Sequence, residues 1–198
     1  MPVSVEFEWF PGLSPSQKQK SIRSLHAAAG RHNVPRVLEI STKSETSLGV
    51  ALSAFNLHMT TPEGRTASVE ALFQSSKVFQ DGGPYPDLLE KSSAAARSDP
   101  RLRSSGKLTG FRLEDIEWGL QPTTAFYDWL YLNALRQAPQ LGDFLMDYDG
   151  FTDIEFNPER SLNCQAASAA LFVALKRREE LDAALQSPES FLACLGGA

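Results

Sequence analysis

The residues whose types and spacing best suit catalysis lie in a helix-like segment at 68–79. Glu70, Gln74 and Lys77 stand at i, i+4 and i+7, so one face of a helix would carry all three. Beside them runs an apolar stripe of Val69, Leu72, Phe73 and Phe79. A carboxylate and an amine on a partly buried face can act as an acid/base pair because burial and mutual attraction shift their pKa values. The alternative is a surface row of ion pairs contributing under about 1 kcal/mol.

A second candidate segment lies at residues 151–166. Asp153 and Glu155 are two positions apart, so an extended chain would put both carboxylates on one side. The chain then leads into a helix that starts near Asn163, and free N–H groups at such a start bind phosphate. Arg160 would add a charge-assisted hydrogen bond. The alternative is an ordinary capped helix preceded by solvated acidic side chains.

Two further segments suit the binding of a planar ligand. The aromatic helix at 125–137 is mostly core by composition, yet Trp129 offers a ring on which a base can stack. The loop at 48–57 offers backbone donors and a second ring, through Gly49, Ser53, Phe55 and Asn56. Each of these signals is weak when taken alone.

The elements that must position these residues follow from hydrophobic periodicity and from glycine and proline breaks. We predict strands at 3–10, 37–41 and 151–156, and helices at 14–29, 69–80, 86–97, 125–137 and 162–185. Residues 42–65 are loop-like, residues 101–120 are short strand or irregular, and residues 142–146 form a helical turn. The expected fold is one helix-rich α+β domain over residues 1–198, in which 1–36 form a strand-helix extension.

Composition limits the classes of function. The 198 residues are 42% hydrophobic and 22% charged, as in ordinary globular proteins, and no apolar run is long enough to span a bilayer. The N-terminus lacks the basic flank of a signal peptide, so we expect a cytoplasmic protein without membrane partners. The 19 basic residues are outnumbered by 24 acidic ones, which argues against a protein that holds nucleic acid mainly through its phosphates.

Cysteine and histidine usage predicts neither a metal site nor a histidine-based triad. Cys164 and Cys194 are far apart in sequence and lack the spacing of zinc ligands. The three histidines, His26, His32 and His58, are equally scattered. Cys164 is expected to be a small buried residue rather than a nucleophile.

Together the four candidate segments resemble the NADAR (YbiA-like) family, which is named for its association with NAD and ADP-ribose. The family pattern runs through a Gly and S-N-F loop, a helix with E-x-x-F-Q-x-x-K, an aromatic helix and an Asn-containing final helix. The helix motif matches fully at Glu70, Phe73, Gln74 and Lys77. The chain departs from the pattern at Ala54, where Asn is usual, at Ala94–Arg97, where a family lysine is missing, and at Asn163–Gln165, where a Gly-rich turn is common.

The longer stretches EISTKSE, ALFQSSKVF, FYDWLY and FTDIEFNPERSLNCQA resemble one branch, the NADAR antitoxins paired with DarT-type toxins. Those toxins ADP-ribosylate DNA bases. The resemblance implies a NADAR-like core at 37–185 and an N-glycosidase, that is, an ADP-ribosylhydrolase, which removes ADP-ribose from guanine in DNA. It implies ADP-ribose as the product, functional pairing with a DarT-type toxin and no cofactor.

The resemblance also suggests roles for the candidate residues. Glu70 would protonate the departing nitrogen or activate the attacking water. Lys77 would hold a phosphate or ribose hydroxyl, or would attack the opened sugar to give a Schiff base, and Lys43 competes for both roles. The expected substrate contacts include Asp153 or Glu155 on the ribose, Phe55 or Trp129 on a base, and Arg160 and Asn163 on the pyrophosphate. The remaining expected contacts are Gly49, Ser53, Asn56 and Gln74.

Two other functions fit the same residues. The first is a second activity of the family, an N-glycosidase that clears reactive ribosylamine intermediates of riboflavin synthesis. The second is a catalytically silent module that binds ADP-ribose without cleaving any glycosidic bond. The carrier of the ADP-ribose (DNA, RNA or a free nucleotide) also stays open from the sequence.

Overall fold

The computed structural model describes residues 2–12, 14–157, 161 and 163–196. Its helices are α1 (Pro15–Arg31), α2 (Ser47–Ala51), α3 (Val69–Ser75), α4 (Ser93–Arg97), α5 (Arg101–Ser104), α6 (Ala125–Gln137), α7 (Pro139–Leu145), α8 (Gln165–Arg177), α9 (Leu181–Ala184) and α10 (Pro188–Gly196), with a 3-10 helix at Pro86–Glu90. Its strands are β1 (Val37–Glu39), β2 (His58–Thr60), β3 (Thr66–Ser68), β4 (Lys77–Phe79), β5 (Leu108–Leu113), β6 (Ile116–Trp118) and β7 (Gly150–Thr152). This mixture of helices and small sheets confirms the predicted α+β class.

The chain divides into two compact units, each made of two stretches of sequence. The first comprises Met1–Ser53 and Ala138–Arg178. Its centre is a parallel pair, β1 and β7, with Leu38 opposite Phe151 in the register. Helix α1 packs beside β1, and α8 packs beside β7 and α7. This pairing brings the residues that follow each strand, Ile40 and Asp153, to the same end of the two-stranded sheet.

The second unit comprises Ala54–Gln137 and Glu179–Ala198. Helix α3 lies at its centre, with every residue buried, and contacts α4, α6 and the 3-10 helix. An antiparallel sheet in the order β4-β5-β6 and the β2-β3 hairpin complete the unit. The core is aromatic, since the ring of Phe73 packs on Phe111, Phe126 and Tyr127. The predicted partition into an extension and a single core stays a prediction.

Several helices begin where the capping residues predict. The Ser14 hydroxyl accepts the N–H of Gln17 at the start of α1, and Ser68 does the same for Ala71 at the start of α3. Helix α6 has the predicted bounds. Strand β1 forms as expected but ends two residues early, at Glu39.

The predicted strand at residues 3–10 is wrong. The segment pairs with no strand among the described residues, and the backbone N–H groups of Glu8 and Phe10 instead donate to the hydroxyls of Ser24 and Ser21 on α1. Alternation of polar and apolar residues indicates that one face of the segment packs against another element, without saying which element that is. Here the element is helix α1 rather than a neighbouring strand.

The loop predicted at residues 42–65 contains two short elements. Thr46 caps α2 by accepting the N–H of Gly49, and β2 pairs with β3 around a turn that contains Gly64 at φ +84°. Both elements are too short to produce a periodic pattern of hydrophobic residues. A helix needs about two turns, and a strand about four residues, before its period can be recognised.

The helix predicted at residues 69–80 ends at Ser75, and the chain continues as β4. The hydroxyls of Ser75 and Ser76 both donate to the carbonyl of Leu72, which competes with further helical hydrogen bonds. The sequence Lys77-Val78-Phe79 then pairs with β5. Lys77 therefore does not share a helix with Glu70.

Two other predicted helices are interrupted. The segment at 86–97 splits into the 3-10 helix and α4, because Ser92 caps a new helix by accepting the N–H of Ala95. The segment at 162–185 begins at Gln165 and splits into α8 and α9 at Glu179, which adopts φ +59°. Leu162 lies outside the described residues. The irregular stretch at 101–120 contains α5, β5 and β6, and the turn at 142–146 belongs to the longer helix α7.

Candidate functional site

Glu70 and Gln74 form a buried pair on α3, in the second unit. Glu70 lies in the first turn, where the helix dipole favours a carboxylate, and it is 6% exposed. The Gln74 side chain donates from Nε2 to Glu70 Oε1 over 2.9 Å. The Gln74 oxygen is buried and has no hydrogen-bond partner among the described residues, so it can accept one donor from a ligand.

Lys77 reaches the same group of side chains from β4. Its Nζ lies 4.8 Å from the centroid of the Phe73 ring, one residue before Gln74 on α3. Burial lowers the pKa of the Lys77 amine, an effect that Arg97 adds to and the charge of Glu70 opposes. A larger neutral fraction makes this amine a better nucleophile or proton acceptor than an exposed lysine.

Arg97 and Phe55 lie at the edge of the Glu70 group. The Arg97 Nε is 3.9 Å from Glu70 Oε1, and its guanidinium carbon is 5.6 Å from the centroid of the Phe55 ring. The backbone carbonyl of Phe55 accepts the Ser93 hydroxyl over 2.8 Å, which ties the predicted binding loop to α4. Asn56, the next residue, is exposed. Arg97 was not among the residues predicted for the site, although it ends the segment that lacks the family lysine.

Trp129 is half-buried among other rings of the second unit. It packs against Trp118, with centroids 5.5 Å apart, and edge-on against Phe191 at 5.6 Å. Its described ring contacts are thus with the aromatic core, whereas those of Phe55 are with Arg97.

In the first unit, a buried carboxylate that sequence reasoning missed organises a second group of side chains. Glu39, only 2% exposed, accepts the Thr152 hydroxyl over 2.6 Å and the Ile154 N–H over 2.8 Å. His26 Nε2 lies 2.9 Å from the same Thr152 oxygen. Burial raises the pKa of Glu39, although these hydrogen bonds act in the opposite direction. The available signal was a lone acidic residue inside the apolar strand VLEIS.

Glu39 thus holds both neighbours of Asp153, which is itself bonded to the start of α8. Asp153 Oδ2 accepts the Gln165 side chain over 3.0 Å, and Oδ1 accepts the N–H of Glu155 over 3.1 Å. Burial raises the pKa of Asp153, and burial likewise raises the pKa of the Cys164 thiol beside it. Cys164 therefore lacks the environment of a reactive thiolate.

The extended geometry predicted for residues 151–156 is wrong beyond Thr152. The N–H of Phe156 donates to the carbonyl of Asp153, so the chain turns, and the turn is stabilised by the Asp153 side chain. As a result, Asp153 and Glu155 diverge. Asp153 is half-buried against Gln165, whereas the exposed Glu155 accepts the hydroxyl of Thr42 over 2.9 Å.

The other predicted residues of the first unit have simpler surroundings. Lys43 is half-buried, and its backbone N–H donates to the Ser41 hydroxyl. Gly49 is buried so closely that a Cβ there would overlap the Glu39 carbonyl oxygen and the Ser44 hydroxyl. Ser53 is buried and Asn163 is half-buried. Arg160 lies outside the described residues.

The described part of the chain lacks two other kinds of feature. None of its helices combines the length and apolar character needed to cross a bilayer. Within the same residues, no three His, Cys, Asp or Glu side chains come together as a group able to hold a metal ion.

Comparison with known proteins places the chain in a family. Residues 2–197 match the model of the DarT1-associated NADAR antitoxins. The chain therefore belongs to the family of DarT1-associated NADAR antitoxins, which confirms the resemblance seen in its motifs. No curated protein matches the chain significantly.

Proposed function

We propose that this protein is an N-glycosidase that removes ADP-ribose from ADP-ribosylated guanine in DNA and so counteracts a DarT-type toxin. The carrying observation is the group of Glu70, Gln74 and Lys77: a buried carboxylate is bonded to an amide whose oxygen has no partner among the described residues, and its charge acts on a half-buried amine of lowered pKa. Membership of an antitoxin family associated with DarT1 supports the biological setting.

The bond to be broken joins the anomeric carbon of the ribose to a guanine nitrogen. Water adds to the anomeric carbon as the C–N bond breaks, and the nitrogen leaves with a proton. Glu70 is the proposed acid/base, taking the proton from water and supplying one to the nitrogen. Gln74 holds this carboxylate through its Nε2 and leaves its own oxygen for an N–H or O–H of the substrate.

Lys77 is the proposed partner of Glu70. Its lowered pKa suits either a hydrogen bond to a ribose hydroxyl or attack on the opened sugar, with loss of water to give a Schiff base. Lys43 is the alternative for the covalent role. Cyanoborohydride reduction during turnover separates these cases, because a Schiff base leaves a stable adduct on one identifiable lysine and a purely hydrolytic path leaves none.

The remaining roles are assigned residue by residue. Phe55, whose ring already carries the Arg97 guanidinium, is the proposed stacking surface for a base, in preference to Trp129 in the aromatic core. Asp153, held in place through Glu39, is the proposed ligand of ribose hydroxyls. Further substrate contacts are proposed for Gly49, Ser53, Asn56, Glu155, Arg160 and Asn163.

The direct test is incubation of the purified protein with a guanine-ADP-ribosylated oligonucleotide in the presence of EDTA, followed by mass spectrometry of the small products. Release of free ADP-ribose by the wild type, and its loss in Glu70→Gln, is the expected result. Binding of ADP-ribose without release would favour the silent module. Turnover of ribosylamine intermediates of riboflavin synthesis, with none of the oligonucleotide, would favour the metabolite-clearing enzyme.

A further inference from the structure

A histidine on α1 reaches the side chains around Glu39, within the first unit. His26 lies one turn after the buried Ile22 and one turn before the buried Ala29, so all three share a face of the helix. Helix α1 contacts β1, and His26 Nε2 lies 2.9 Å from the hydroxyl oxygen of Thr152 on β7. The buried face of α1 therefore carries a polar side chain that bonds to the two-stranded sheet.

The register of this sheet explains how the hydroxyl of Thr152 comes to lie between His26 and Glu39. Thr152 is opposite Glu39 in the parallel pairing of β7 with β1, so their side chains leave the sheet on the same face. The Thr152 hydroxyl donates to Glu39 Oε2 over 2.6 Å, a length typical of a hydrogen bond to an ionised carboxylate. The other carboxylate oxygen, Oε1, accepts the N–H of Ile154. Both oxygens of Glu39 are thus bonded to the segment that contains Asp153.

The single proton of the Thr152 hydroxyl determines what His26 must do. A hydroxyl has one O–H to donate, and here it is donated to Glu39. Toward His26 the same oxygen can only accept, so the ring nitrogen Nε2 must carry a hydrogen. Burial lowers the pKa of His26, although the charge of Glu45 opposes the effect, so the neutral ring with its hydrogen on Nε2 is the expected form at neutral pH.

The result is a chain of hydrogen bonds that runs from α1 toward Asp153. A hydroxyl that accepts one hydrogen bond becomes a stronger donor in the next. We infer that His26 is a positioning residue for Asp153. By donating to Thr152 it strengthens the bond to Glu39, and the Glu39 carboxylate holds the two residues between which Asp153 lies. This inference rests on the proposed function, in which Asp153 binds the ribose hydroxyls.

The experiment compares two replacements of His26 that differ in the donor. Leucine fills a similar volume without an N–H, whereas the side-chain amide of glutamine can place its nitrogen near the position of Nε2. His26→Leu should raise KM for the guanine-ADP-ribosylated oligonucleotide by about 2- to 10-fold, the range expected for one hydrogen bond. Its kcat should change much less, because the contact of Asp153 serves binding. His26→Gln should stay close to the wild type.

Two further comparisons show whether the effect passes through Thr152. In a Thr152→Val background the acceptor is gone, so His26→Leu should raise KM no further. The control is His32→Leu, which removes the exposed histidine that follows α1 and should behave like the wild type. Equal increases in KM for the Leu and Gln variants of His26, an unchanged KM in His26→Leu, or the same increase in the control would each overturn the inference.

Nuclear magnetic resonance of the histidine rings tests the chain of hydrogen bonds without relying on catalysis or on any variant. In the ¹⁵N-labelled wild type, a proton-bearing ring nitrogen and a bare one resonate far apart, so the spectrum identifies the tautomer of His26. The hydrogen should lie on Nε2 at neutral pH. A bare Nε2 would overturn the inference even if the glycosidase activity proves real.

Two backbone amides report the position of the carboxylates. The N–H of Ile154 bonds to Glu39 Oε1, and that of Glu155 bonds to Asp153 Oδ1. Both amide signals should shift in His26→Leu and stay in place in His26→Gln and in His32→Leu. Unshifted signals in His26→Leu would reject the positioning role. Because these signals need no substrate, they support or reject His26 whether or not the protein releases ADP-ribose, and the two proposals fail separately.

Discussion

Gln74 donates a hydrogen bond of 2.9 Å to the carboxylate of Glu70, one turn earlier on α3, and both side chains are more than nine-tenths buried. Phe73, the residue before Gln74, packs its ring on Phe126, and the amine of Lys77 lies 4.8 Å from the centroid of the Phe73 ring. We propose this carboxylate as the acid/base of the reaction.

The first prediction concerns this carboxylate. Glu70→Gln should lower kcat by about 10²–10⁴-fold, because the amide cannot exchange the proton that the reaction needs. The free energy of unfolding should change by less than about 1 kcal/mol, since the new amide oxygen still accepts from Gln74. Single-turnover kinetics and urea unfolding measure the two effects. A variant that folds normally and retains the wild-type rate would remove Glu70 from the mechanism.

The second prediction concerns the pH dependence of stability at Lys77. Burial lowers its pKa in the folded protein, so the unfolded chain binds more protons between that lowered value and the ordinary lysine value near 10.4. Stability due to Lys77 must therefore rise with pH across that window. Lys77→Met should be more stable than the wild type at pH 7, and its advantage should shrink as the pH approaches 10.

Urea unfolding between pH 7 and pH 10 measures this difference, with the exposed Lys20→Met as the control for removal of a surface lysine. If the stability advantage of Lys77→Met over the wild type stays constant or grows with pH, the lowered pKa of the Lys77 amine is not the cause of that advantage.

The third prediction tests the packing of Gly49, in the predicted binding loop. Gly49→Ala should reduce the free energy of unfolding by about 1–3 kcal/mol, because the new Cβ overlaps the Glu39 carbonyl oxygen and the Ser44 side chain. Gly30→Ala is the matched control, since a Cβ there meets no atom within 4 Å in α1 and should stabilise the helix by about 0.5–1 kcal/mol. Denaturant titrations measure both. Equal changes in the free energy of unfolding for the two substitutions would contradict the close packing of Gly49 against Glu39 and Ser44.

The fourth prediction concerns Glu39 and Asp153. Glu39 bonds to the residues on both sides of Asp153, so its contribution to activity should act through that carboxylate. Glu39→Gln should lower kcat/KM by about tenfold in the wild type and by less than about twofold in the Asp153→Asn background, as coupled neighbours do. Equal losses in both backgrounds would mean that Glu39 supports the fold independently of Asp153. Melting temperatures of all four proteins separate loss of fold from loss of rate.

Local pattern predicted one shared helix face of the candidate site, and the structure shows a hydrogen bond on that face. Glu70 and Gln74 pair as expected because they are one turn apart on a helix whose cap, Ser68, is visible in the sequence. Lys77 joins them although the predicted helix ends before it, because β4 returns the chain past the Phe73 ring. The single helix predicted to carry all three residues is therefore wrong, and their joint role in a site stays a prediction.

Other features could not be predicted from local pattern, because their causes lie far away in the sequence. The partners of Glu39 are Thr152 and Ile154, more than a hundred residues later, and only the parallel pairing of β1 with β7 brings them together. The turn that separates Asp153 from Glu155 has a local cause, the hydrogen bonds from the N–H groups of Glu155 and Phe156 to Asp153, which the alternating pattern of residues 151–156 did not reveal. Hydrophobic periodicity indicates which face of a helix or strand is buried, but it does not indicate which other element packs against that face.

The most direct test of the central claim is the intact mass of a guanine-ADP-ribosylated oligonucleotide before and after incubation with the protein. An N-glycosidase predicts a strand that loses one whole ADP-ribosyl group and returns to the mass of the unmodified DNA, at a rate that Glu70→Gln abolishes. A strand that keeps its mass, or one that retains a ribose phosphate after cleavage of the pyrophosphate, would contradict the account.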